Sequence, residues 1–114
     1  MAWASIFRSK KVTADGPTDN GEWMAVGNYS SLNVHYAVST PSGTNPYLSC
    51  AIEFTDDNTS TTGIKSTVSE IDFHDTSDDV LVPGVPVQGA YARVKRDIAG
   101  TSPEYVLDVS VIAY

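Results

Sequence analysis

Two histidines, His35 and His74, are the side chains in this sequence best suited to general acid–base chemistry near neutral pH. Nucleophilic catalysis needs a Ser, Cys or Thr beside such a base, with a third group holding the base in place. Neither histidine lies in a motif of that kind, and the strained G-x-S-x-G elbow is absent. His35 occupies the polar phase of an alternating run, which predicts a surface or interface histidine. Paired carboxylates would suit glycoside hydrolysis if two faced one another across a cleft. The acids here fall mostly in turns, where nothing separates the pKa of one from that of another. The densest polar cluster is Asp72-Phe73-His74-Asp75-Thr76-Ser77-Asp78-Asp79, whose oxygens would suit calcium, with Asp56-Asp57 adding ligands if the two turns converge. Its spacing lacks the glycine and terminal Glu of an EF-hand, so a solvated acidic loop is expected. No G-x-x-x-x-G-K-[ST] or G-x-G-x-x-G phosphate cradle occurs. The residues therefore predict no catalytic group, no metal site and no cofactor.

What remains must act by contact, and composition says with what. Seven basic and 14 acidic residues give a formal charge of −7, which repels phosphate backbones and anionic membranes. Local exceptions are Arg8, Lys10 and Lys11, and the group Arg93, Lys95 and Arg96. The single cysteine, Cys50, allows no intrachain disulfide and fits as a small buried hydrophobe in the apolar run from Leu48 to Phe54. Met1-Ala2-Trp3-Ala4-Ser5-Ile6-Phe7-Arg8 lacks the basic start and long apolar stretch of a signal peptide, so synthesis in a cytoplasm is expected.

The elements that would position these residues are strands. Leu32, Val34, Tyr36 and Val38 alternate with polar or small residues, as do Leu48, Cys50, Ile52 and Phe54. Leu107, Val109 and Val111 repeat the pattern near the C-terminus. A period of two puts one set of side chains on a buried face and the other on an exposed or partner-covered face. Turn chemistry interrupts at Asp15-Gly16-Pro17, Asp19-Asn20-Gly21, Thr40 to Pro46, Asp56 to Gly63, Pro83 to Pro86, and Ala99 to Pro103. Strands are predicted at 4–13, 22–27, 31–39, 47–54, 64–71, 79–82, 89–98 and 105–113. About eight short strands without helices predict an all-β fold, an antiparallel two-sheet β-sandwich with the jelly roll favoured over an immunoglobulin-like arrangement.

The first 20 residues stand apart: an apolar start with Trp3, Ile6 and Phe7, a basic stretch, then turn residues. They are read as either the first strand or an assembly arm, ahead of a sandwich domain over 21–114. Aromatic side chains anchor cores and interfaces in small sandwiches. An exposed Trp23, in Gly21-Glu22-Trp23-Met24-Ala25-Val26, would alternatively serve as a platform for sugar rings. Arg93 and Lys95 share one face of their strand, where they either pair with Asp108 or another acid, or meet an acidic subunit.

The run from Gly89 to Val109, with Tyr91-Ala92-Arg93-Val94-Lys95 before Gly100-Thr101-Ser102-Pro103 and a final alternating strand, resembles the closing hairpin of small β-sandwich proteins encoded among the virion genes of tailed bacteriophages. Gly27-Asn28-Tyr29-Ser30-Ser31-Leu32-Asn33-Val34 is similar to their entry into the first long core strand, and Leu48 to Asp57 fits their middle. The resemblance covers the last two thirds of the chain and carries no catalytic signature. It implies a jelly-roll-like, non-enzymatic protein of the phage particle: a capsid cement or decoration protein, or a tail accessory protein. Partners would then be the major capsid protein or a tail protein, with a homo-oligomer expected, a trimer favoured, and neither nucleic acid nor membrane. Trp3, Phe7, Arg8, Arg93 and Lys95 are the expected assembly contacts. A carbohydrate-binding module for host-surface glycans, using Trp23, is the alternative.

Overall fold

Alternation of apolar and polar residues does build strands here, but fewer and longer ones than the turn residues suggest. A computed structural model describes residues 2–12, 16–17, 23–57 and 64–114, with side chains from 23–57 and 66–114. All regular structure among them is β, and every pairing is antiparallel. Five long strands are β1 (Ala2–Val12), β4 (Ser31–Thr55), β5 (Ile64–Phe73), β6 (Asp78–Pro86) and β7 (Tyr91–Ala113). Two short pieces, β2 (Gly16–Pro17) and β3 (Met24–Ala25), pair with β7.

The expected count of eight is corrected by two fusions. Residues 31–39 and 47–54 belong to one 25-residue strand, β4, and residues 89–98 and 105–113 fall almost wholly in the 23-residue β7. The stretches from Thr40 to Pro46 and from Ala99 to Pro103, expected to be loops, are bulged continuations of these strands. Ladder pairs there are Ser39↔Val106, Ser42↔Glu104, Thr44↔Thr101 and Tyr47↔Ala99, with a register shift at each step. The skipped positions include Pro41, Pro46 and Pro103. A proline cannot donate to a ladder, and a bulge removes that demand. Positive φ angles at Thr40, Gly43, Asn45, Gly100 and Ser102 turn the two backbones together. The expected strand at 22–27 is reduced to Met24–Ala25. Pro83 to Pro86, expected as a turn, ends β6 across another register shift.

β4 and β7 thus form one long ribbon with two halves. In the first half the order is β1, the C-terminal part of β7, the N-terminal part of β4, and β6. In the second half β5 joins the C-terminal part of β4, while β2 and β3 flank the N-terminal part of β7. Inward residues from both halves meet in a single core. Leu32, Val34 and Tyr36 come from the first half, and Leu48, Ile52, Phe54 and Val94 from the second. Tyr36 sets its ring edge-on to Phe73 of β5 at 6.2 Å, and the Tyr105 hydroxyl donates to the His74 carbonyl at 3.0 Å. Full burial of each such side chain contributes roughly 1.5–3 kcal/mol.

Cys50 is one of these core residues. Burial pushes its thiol up to about 12; the Arg96 charge opposes this and Asp97 adds to it. Burial, with Cys50 nearby, also raises the Tyr36 phenol, whose hydroxyl has no hydrogen-bond partner among the described residues. A thiol raised in the folded state contributes stability that is fully present below the unfolded pKa of about 8.5 and is lost as pH climbs toward the folded value. Iodoacetamide at pH 8 should therefore leave Cys50 unmodified in the native protein and alkylate it fully in urea. Rapid native alkylation would show that the core opens readily around this residue.

Candidate functional site

The outer surface of the second half is where polar residues gather. From Leu48 to Thr55, β4 is buried on both faces, so its outward set Ser49, Ala51, Glu53 and Thr55 is covered as well. Register brings Glu53 opposite Arg93, Ala51 opposite Lys95, and Ser49 opposite Asp97. Arg93 Nε donates to Glu53 Oε1 at 3.1 Å, with the two side chains only 12% and 10% exposed. The Arg93 guanidinium also lies over the Trp23 ring, 4.1 Å from its centroid. β3 explains this placement: Met24 pairs with Ala92, which sets Trp23 beside Arg93. Carboxylate, guanidinium and indole make a closed stack of charge-assisted hydrogen bond and cation–π contact.

Arg93 thus makes the expected cross-strand pair with an acid, and the acid is Glu53; Asp108 lies in the first half opposite Ala37. The stack also engages one face of Trp23, which is half-buried. A sugar-binding platform needs that kind of surface open. Lys95 stays in solvent and reaches Asp97 Oδ2 at 3.6 Å, an exposed pair contributing little.

Beside the stack is a shallow surface depression lined by Ser49, Ala51, Thr67, Glu70, Lys95 and Asp97. At its end the Asp72 carboxylate accepts a hydrogen bond from Tyr47 and holds that phenol above its usual range, with Glu70 adding to the effect. Glu53 is held by Arg93, so it is not an uncommitted acid or base. His74 packs against Tyr47 at 5.2 Å, and His35 is exposed between Leu81 and Ser110. The two histidines are on different halves of the ribbon. Asp72, Asp75, Asp78 and Asp79 are exposed, and no three His, Cys, Asp or Glu side chains among the described residues converge on a metal position.

Of the expected assembly contacts, Trp3, Phe7 and Arg8 lie on β1, and their side chains are outside the described residues. Their strand pairs along β7, with Trp3 opposite Ile112 and Phe7 opposite Val109. Arg93 and Lys95 share a face as expected but do different things, one locked in the stack and one solvated. Sequence reasoning missed Glu53, hidden in an apolar run, and Leu81, the most exposed large hydrophobic side chain among the described residues at 59%. Leu81 falls in the outward phase of β6, opposite His35, and that alternation was its signal. No protein-family description matches this chain, and no curated protein matches it either.

Proposed function

We propose that this chain is a non-enzymatic structural protein of a bacteriophage particle, most simply a capsid cement or decoration protein acting through subunit contacts. In this reading the two halves of the ribbon are the two layers of a β-sandwich, joined through the bulged middles of β4 and β7. The observation that carries the reading is the distribution of what is open. Among the described residues Glu53, Arg93 and Trp23 are tied up in one stack, Tyr47 is bonded to Asp72, and His35 and His74 stand exposed on different halves. The strands β1, β5 and β6, in contrast, each pair on one side only among the described residues. Unpaired strand edges are surfaces for joining other chains. The resemblance of the run from Gly89 to Val109 to virion sandwich proteins points the same way.

Quantitative peptide mass spectrometry of gradient-purified phage particles tests this. The chain should be present in fixed, multiple copies per particle. Its absence from the particles, with the protein found free in the lysate, would contradict the proposal.

A further inference from the structure

The two edges of the first half carry opposite charge. Edge strand β1 (AWASIFRSKKV) contains Arg8, Lys10 and Lys11 and no acid, thus three of the seven basic residues of the chain. Edge strand β6 (DDVLVPGVP) contains Asp78 and Asp79 and no base. Both aspartates are exposed, and Asp78 Oδ1 accepts a hydrogen bond from the Asp79 backbone N–H.

Register puts one basic and one acidic position of the two edges at the same level. Lys10 pairs with Leu107, Leu107 with Val38, and Val38 with Asp78, so one row crosses the half from a lysine to an aspartate. A second row runs from Ser5 through Ser110 and His35 to the exposed Leu81. β1 is antiparallel to β7, β7 to β4, and β4 to β6, which makes β1 antiparallel to β6. A second copy placed to continue the sheet would then set its β1 beside β6 in antiparallel register. The Lys10 position would lie beside Asp78, and the Ser5 position beside Leu81. The prolines of β6, Pro83 and Pro86, lie at the other end of that strand, away from the charged rows.

We infer that copies of this chain associate head to tail, the basic edge strand β1 of one against the acidic edge strand β6 of the next. The interface is heterologous, so sheet twist decides whether it closes into a ring or runs on as a chain. Opposite charges steer the encounter and reject the β1–β1 and β6–β6 alternatives. The inference deepens the self-association in the reading above and rests on it in that respect alone.

Charge reversal with sedimentation velocity tests it on the full chain. One variant carries Lys10→Glu and Lys11→Glu; the other carries Asp78→Lys and Asp79→Lys. Each alone should weaken self-association by about tenfold or more, since like charges then face across the joint. Mixing the two variants should restore association, because each supplies the edge the other needs. Far-UV circular dichroism identifies a variant that fails to fold, and then the salt dependence of the unmodified protein decides. Its association should weaken as ionic strength rises through the screening range. Association that ignores both reversals and salt overturns the edge pairing while leaving self-association through another surface. A protein that stays monomeric at low salt also overturns it, and leaves attachment of single copies to a particle untouched.

Discussion

Gly100→Ala and Gly43→Ala should each lower the unfolding free energy by about 3 kcal/mol or more, enough to unfold a marginal domain. The two glycines lie on opposite strands of the bulged middle of the ribbon, either side of the Thr44↔Thr101 pair, Gly100 at φ +117° and Gly43 at +100°. A methyl group on Gly100 would lie 2.7 Å from the Asn45 carbonyl oxygen, and one on Gly43 would lie 2.5 Å from that of Ser102. In both cases the obstacle is backbone, which cannot rotate away as a side chain would. A positive φ of this kind adds about 1–2 kcal/mol for a residue with a Cβ. Gly84 provides the control: it has φ +64° but open space around it, so Gly84→Ala should cost only the conformational part. Urea denaturation of the three variants reads the difference. Equal, small losses would mean that the strand middles can separate without harm and that the halves of β4 and β7 are not held as one ribbon.

The second large effect is expected at the buried ion pair. Glu53→Ala leaves the Arg93 guanidinium 12% exposed with its carboxylate gone, and breaking a buried pair from one side costs about 3–5 kcal/mol. The loss should fall toward the lower end, because Trp23 still covers the cation. Replacing both partners, Glu53→Leu with Arg93→Met, should recover much of the stability, since no charge is then stranded. A double variant no better than Glu53→Ala alone would show that packing, and not the charge, dominates at this position.

Period-two alternation made the inward faces legible, and the core residues Leu32 to Val38, Leu48 to Phe54 and Leu107 to Val111 follow it. The same local signals misplaced the strand ends. Pro41, Pro46 and Pro103 read as loop residues because a regular ladder needs every N–H, yet all three fall where the ladder skips a residue. Whether a proline meets a bulge is decided by the partner strand, some 60 residues away along the chain between Pro41 and Pro103. The partner of Arg93 was hidden for the same reason. Asp108 lies closer in sequence, but the register of the long ribbon chose Glu53. Burial of Glu53 could not be read from an apolar run in which it looks like the outward exception. The charges of β1 and β6 were visible as composition; the placement of Lys10 and Asp78 at one level of opposite edges emerged only from three successive registers.

Attachment to a particle is the claim on which the functional account stands, and add-back measures it most directly. Phage particles produced without this gene would be incubated with the purified protein and sedimented. The account predicts saturable binding at a fixed number of copies per particle, together with greater resistance of the particle to heat or chelation. Particles complete and equally resistant without the protein, and unable to bind it when it is supplied, would contradict the account.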